Sequence, residues 1–411
     1  MCLGIYYVFY ISFCLLICNS KIFLTFVKKI MKSTVKNLFA AAFMLSLCCC
    51  SPKGDGSVTE IVVNGNKMYQ FSLNSLKSNV KTVPLSSLVD DCRLVQLETK
   101  DEAYFKPWFT TVTNKYIGVR QQDGRPYMLF SSSGKFLCNV GAVGQGPGEY
   151  SIQLYDDIID ENNELIYLSC MNDNKILVYK TSGEFLKNIV SPQELHKPKI
   201  YLSDGILTVV HMPFRNDKAV AIQFDVKSGE VLRELPPPPH LIVQSFDGEL
   251  FNTRNTPGIF DFLHTGSDTL YHFDVKNNTI LPFFMMTFNS SEKPYKQYFQ
   301  LNKDLLLTFV FGKGLVATDL KNKISSFINV TNDFYGNIPA PTYIIHLRNG
   351  YWVNNVQPEQ LIIDIEKRLA DSSCSDNDRK KLKETLSNIK EGDNNVVFIG
   401  KLKSEVNNKL F

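Results

Sequence analysis

Five short segments of this chain repeat one pattern at near-constant spacing, and such a repeat restricts the fold more tightly than composition can. They are Leu129-Phe-Ser-Ser-Ser-Gly-Lys-Phe136, Val178-Tyr-Lys-Thr-Ser-Gly-Glu-Phe185, Gln223-Phe-Asp-Val-Lys-Ser-Gly-Glu-Val231, His272-Phe-Asp-Val-Lys-Asn-Asn-Thr-Ile280 and Ala317-Thr-Asp-Leu-Lys-Asn-Lys-Ile324. Each is an apolar strand end, a polar turn with Gly or Asn, and a second apolar strand, which is a hairpin signature. The anchors Phe130, Tyr179, Phe224, Phe273 and Thr318 are separated by 49, 45, 49 and 45 residues. A unit of about 47 residues suits a four-stranded propeller blade and is too long for most leucine-rich or ankyrin units. Residues 91–411 hold six such units once the helical stretch 358–392 is set aside. In that stretch Leu361, Ile362, Ile365 and Leu369 have amphipathic spacing, and Arg379–Ile389 follows. The expected fold is therefore all-β, a six-bladed β-propeller with a short helical insertion near the C-terminus. A closing strand within 395–403 would pair with Cys92–Glu98, since an open last blade would expose its edge.

Between the first and second hairpins lies Val140-Gly-Ala-Val-Gly-Gln-Gly-Pro-Gly-Glu-Tyr150. Its glycines permit φ > 0 and close backbone approach, so Gly144, Gly146, Pro147, Gly148, Glu149 and Tyr150 read as a shaped structural connector between packed strands. The spacing is not Gly-x-Gly-x-x-Gly opening a helix, and no phosphate-loop Lys-Ser/Thr follows. This GxGPGEY run, with Arg93-Leu-Val-Gln-Leu-Glu-Thr99, Gly266-Ser-Asp-Thr-Leu-Tyr271 and Asp393-Asn-Asn-Val-Val-Phe-Ile399, resembles the six-bladed, NHL-like β-propeller lipoproteins of Bacteroidetes. The chain departs from that pattern at Asn395, where Pro is common, and in the sparse aspartates of its first two hairpins. The resemblance implies an envelope location and brings no agreed catalytic residue, so it does not name a function.

The N-terminus supplies a separate expectation. Residues 1–30 read as an apolar leader from a start placed too early, and residues 31–49 as a lipoprotein signal peptide. From Met31 a basic n-region, the apolar Leu38–Leu45 and Ser46-Leu-Cys-Cys lead to Cys50, the expected lipidated residue. Residues 50–90 then form an N-terminal tether and first strands. This address implies a lipid-anchored protein of the bacterial envelope, at the outer membrane. Residues 1–49 hold five lysines and no acid, so 39 basic residues face 41 acidic ones after them. A near-neutral body lacks the basic footprint of a nucleic-acid binder. Of ten cysteines only Cys92, Cys138, Cys170 and Cys374 lie beyond residue 50, without metal-ligand spacing, and they read as free thiols.

Three histidines end apolar runs in separate blades: His211, His264 and His346. A ring of them could hold a divalent metal, but their differing offsets place them at different levels, and no metal or other cofactor is expected. Asp156-Asp157-Ile-Ile-Asp160-Glu161 lacks the alternating spacing of a calcium loop and reads as a solvated turn. No Gly-x-Ser-x-Gly motif is present. Arg120, Arg215, Arg254, Arg348 and Trp352 are the candidate binding residues, able to hold an anionic or sugar-like ligand if they converge on the channel. The expected role is a binding or scaffolding module for a glycan, a peptide or an envelope protein. The alternatives are a channel-site enzyme, such as a metal-dependent lyase or lactonase-like hydrolase, and a purely structural envelope subunit.

Overall fold

Each repeated hairpin forms the outer half of a blade. The computed structural model describes residues 57–411, apart from 64, 77, 123, 124, 151, 152, 290–293, 344 and 406–409. The leader, the signal peptide and Cys50 lie outside the described residues. Blade 1 runs through Pro107–Val112, Tyr116–Gln121, Tyr127–Ser131 and Phe136–Val140, from the channel outward. Blade 2 is Leu154–Asp160, Leu165–Cys170, Asp173–Lys180 and Phe185–Leu195; blade 3 is Lys199–Ser203, Ile206–Val210, Ala221–Asp225 and Val231–Leu235. Blade 4 comprises Leu250–Phe251, Phe260–His264, Thr269–Asp274 and Thr279–Thr287, and blade 5 Lys296–Gln300, Leu305–Val310, Gly314–Asp319 and Ile324–Asn332. All five anchor residues fall on third strands, and each is buried. The turn after each anchor contains one left-handed residue: Gly134, Gly183, Gly229, Asn278 or Lys323.

Blade 6 has no such hairpin, which is why the pattern occurs five times. Its strands are Leu347–Arg348, Tyr351–Val356, Val396–Lys401 and, from the other end of the chain, Arg93–Gln96. Val397 pairs with Val95 and Phe398 with Leu94, so the two chain ends close the ring in one sheet. Helices α1 (Pro358–Ala370) and α2 (Asp376–Ser387) sit between its second and third strands. Pro358 opens α1 at a position whose N–H would be unsatisfied, and Ser375 Oγ caps α2 by accepting from Asp378 N. Leu361, Ile365 and Leu382 carry both helices into the apolar cluster between blades 5 and 6. None of the described helices is long and apolar enough to cross a membrane.

The segment before blade 1 is built into the rim. Strands β1 (Val58–Val63) and β2 (Asn66–Ser72) form a hairpin, and β2 adds in parallel to the outermost strand of blade 4. Strand β3 (Val80–Pro84) adds likewise to blade 5, and β4 (Arg93–Gln96) completes blade 6. One N-terminal segment thus covers three consecutive outer edges that would otherwise expose unpaired backbone groups.

The connector leads from the outer strand of blade 1 to the inner strand of blade 2. Ala142–Val143 pairs in parallel with Glu149–Tyr150. Gly146 N donates to Glu149 Oε2, and Tyr179 Oη to the Gly148 carbonyl. Tyr150 Oη accepts from Tyr127 N and donates to the Val140 carbonyl. Gly148 has φ +73°, and a Cβ there would lie 2.5 Å from the Phe185 ring. Gly146 lies outside the left-handed region, and the nearest atoms to a Cβ there would be those of the Glu149 carboxylate, from 3.0 Å.

Candidate functional site

The inner strands bring charge where the seams between blades bring apolar area. Asp156 and Asp157 are adjacent on the first strand of blade 2, so their side chains point to opposite faces. The acidic run is therefore no solvated turn at its start: Asp156 and Asp157 are 0% and 1% exposed. A Leu-Tyr-Asp-Asp-Ile-Ile strand reads as a turn when its charges are counted without the apolar residues around them.

Asp156 is the hub. Its Oδ1 accepts from Arg348 Nη2 at 2.7 Å and Arg254 Nη2 at 3.4 Å, and its Oδ2 from Ile200 N at 3.0 Å. Burial would raise its pKa, but Arg254, Arg348 and Lys199 outweigh it and hold the carboxyl far below the usual range. Asp157 faces blade 1, where Tyr127 Oη donates to it at 3.0 Å and Arg120 Nε lies 3.6 Å away. Gly118 makes room for that tyrosine, because a Cβ would lie 1.8 Å from its hydroxyl. Burial, assisted by Arg348 and opposed by Asp157, brings the Arg120 guanidinium down to about 10, still charged at neutral pH. Lys199, on the inner strand of blade 3, is pushed well below its usual value by burial, against the pull of Asp156.

Three of the five candidate binding residues therefore converge: Arg120 from blade 1, Arg254 from the loop after the inner strand of blade 4, and Arg348 from blade 6. Arg215 is exposed and outside this cluster. Trp352 is a packing residue: it is 1% exposed, lies in the apolar cluster of blades 5 and 6, and donates Nε1–H to the Pro341 carbonyl. The histidines do not meet. His211 Nε2 lies 2.8 Å from the Ala219 carbonyl, His346 Nδ1 2.6 Å from the Val353 carbonyl, and His264 Nδ1 accepts from Gly266 N. Among the described residues no group of three His, Cys, Asp or Glu side chains could hold a metal ion, and the four cysteines there are free.

One mouth of the channel opens into a cavity of about 910 Å³. Its walls are the turns after the inner strands of blades 1, 2 and 3, including Asn114, Asp160, Glu161 and Asp204, with Tyr201 and Tyr351 as aromatic surfaces. Arg254 and Asn349 also line it. Arg254 is held by bonds to the Ile200 and Asp157 carbonyls, yet its Nε and the Asn349 Nδ2 have no hydrogen-bond partner among the described residues. Both residues have left-handed backbones, at φ +53° and +54°. Sequence reading missed Asn349, whose only signal was an Asn-Gly pair after Arg348.

A family model described as "Domain of unknown function (DUF4934)" matches residues 68–401. A Bacteroides fragilis protein described as exported is 17% identical, with a TM-score of 0.57, over 81% of this chain and 99% of that one. A member of the DUF4221 family from Bacteroides vulgatus is 11% identical, with a TM-score of 0.45, over 77% of this chain and 98% of its own. No curated protein matches the chain. At 17% identity the likeness to the Bacteroides fragilis protein speaks for the fold alone.

Proposed function

The chain belongs to the DUF4934 family, and from its channel mouth we propose that it is an exported envelope propeller serving as a binding module for a glycan or peptide. The observation that carries this reading is the 910 Å³ cavity, whose lining residues Arg254 and Asn349 each hold a buried donor without a partner among the described residues, and which Tyr201 and Tyr351 flank. A pocket of that size with a few convergent polar groups and aromatic walls is the ordinary form of a ligand site. The exported Bacteroides fragilis relative and the signal-like residues 31–49 support the envelope location, and Cys50 is the proposed lipid attachment point.

The test is binding of the purified protein to a panel of glycans and peptides, compared with Asn349→Gly and Tyr351→Ala. Glycine keeps the left-handed backbone while removing the amide, so a loss of binding in Asn349→Gly reports on the cavity and not on strain. Binding unchanged in both variants would overturn the cavity reading. For the anchor, Cys50→Ala is expected to move the protein from the membrane fraction to the soluble one, because the lipid is the attachment.

A further inference from the structure

At the channel centre five guanidinium nitrogens of Arg120 and Arg348 have no hydrogen-bond partner among the described residues, against two such acceptors, Asp157 Oδ1 and Asn252 Oδ1. Arg120 is 0% exposed, and its Nε, Nη1 and Nη2 have no hydrogen-bond partner among the described residues. Its ionic neighbour Asp157 Oδ1, at 3.6 Å, is outside hydrogen-bonding range. Arg348 gives Nη2 to Asp156 and leaves Nε and Nη1 without a partner. Both guanidiniums lie against one ring: the Cζ atoms of Arg120 and Arg348 are 4.5 and 4.8 Å from the centroid of Phe109. Such contact occupies the flat face of a guanidinium and leaves its N–H edge available for a forked bond.

Charge points the same way. Arg120, Lys199, Arg254 and Arg348 meet Asp156, Asp157 and Asp261, whose oxygens accept from Thr253 N, Thr253 Oγ1 and Arg254 N. Lys197 nearby is matched by Glu249. Four cations thus face three carboxylates. Proton loss from Lys199 would remove the surplus charge, but the single lone pair it frees is too few for the five idle guanidinium nitrogens of Arg120 and Arg348. An arginine keeps its charge even when buried, so its donors still require acceptors.

We infer that the channel centre is a binding site for a small oxyanion, a carboxylate, sulfate or phosphate group, held by Arg120 and Arg348 beside Phe109. Forked guanidinium edges match this class of ligand, whereas a neutral ligand would offer them no charged acceptor. The site goes beyond the mouth cavity and does not require it.

The experiment follows the melting of the full chain in sodium sulfate, phosphate or acetate, each against chloride at matched ionic strength. At least one oxyanion should raise the melting temperature saturably, by roughly 4 °C at a hundredfold excess over its Kd. A response to sulfate or phosphate alone identifies a tetrahedral ligand, and a response to acetate alone a carboxylate; either supports the site. Arg120→Lys and Arg348→Lys keep the charge but lose the fork, and should each weaken the apparent affinity about tenfold or more. Arg120→Met combined with Asp157→Asn removes the pair as a neutral unit and should abolish the response while remaining folded by circular dichroism. Arg233→Ala, a charge removed from the outer strand of blade 3, should respond as the parent does. The inference fails if no oxyanion stabilises more than chloride, or if the lysine variants and the double variant respond like the parent. Because none of these changes lies at Asn349 or Tyr351, loss of glycan or peptide binding there would leave this result untouched.

Discussion

The seams between blades and the channel they surround are built from neighbouring residues of the same strands, yet they follow different rules. On the second strand of blade 1, Ile117 and Val119 face blade 6 in an apolar cluster with Val95, Val353 and Val397. Arg120, one residue further, faces the other way, toward Asp157 and the Phe109 ring. The seams gain stability from area removed from water, which is non-directional and tolerates small changes of shape. The channel depends on pairing and geometry, where losing one partner strands another charge. Stability is thus spread over the six seams, while specificity is concentrated at the centre.

The sharpest test of this contrast is Asp156→Ala. It leaves Arg254, Arg348 and Lys199 buried around a missing carboxylate and should cost about 3–5 kcal/mol in urea unfolding. Ile222→Val, in the seam of blades 2 and 3, should cost only about 1 kcal/mol. Equal costs at the two sites would break the comparison.

Acid should act next most strongly, through histidine. Burial, only partly offset by a bond to the Val353 carbonyl, lowers His346 to about 4 from an ordinary 6.5. The unfolded chain binds more protons between those values, so this contribution is complete above pH 6.5 and is lost as pH falls toward 4. It amounts to about 3 kcal/mol. Unfolding measured between pH 7 and 4 should show this slope, and His346→Gln should flatten it. Burial lowers His211 to about 4 as well, so part of the slope should remain in that variant.

At the rim, Gly148→Val should cost roughly 1–3 kcal/mol, since valine is strained at φ +73° and would press on Phe185. Gly146→Val should cost less, because the flexible Glu149 carboxylate can give way. Chemical denaturation of both variants decides this, and the reverse order would overturn it. The smallest effect is expected at Arg215→Ala, on the exposed surface, where stability should stay within about 0.5 kcal/mol in the same assay.

The fold was legible because its signal is periodic. The third-strand anchors and their turns recur, and a hairpin is a local device whose cues lie within ten residues. The site was legible only in part, because it is assembled from single residues on different blades. Arg120, Arg254 and Arg348 could be named as candidates by type, but nothing local shows that Arg254 and Arg348 share Asp156 while Arg120 pairs with Asp157. Trp352 carries the chemistry of a ligand platform and spends it on packing. Strands were expected within 50–90, but the docking of β2 and β3 was hidden, because their partners on blades 4 and 5 lie far along the chain and the parallel pairings leave no turn between them.

Those N-terminal strands have a consequence for the order in which the molecule can form. Val95 has no partner until Val397 has been made, and Phe71 and Thr82 wait for Met286 and Asn329. Strands made before any blade thus find their places only after blades 4, 5 and 6 exist. Contacts so distant in sequence make folding slow, since loop closure must precede any gain from pairing. Blades 1, 2 and 3 are each complete within one stretch of chain and can form first. Until the rim strands dock, the outer edges of blades 4, 5 and 6 stand open to strands from other molecules. The hazard for this protein during its maturation therefore lies on one side of the ring, and a chain beginning after β3 would carry it permanently at blades 4 and 5.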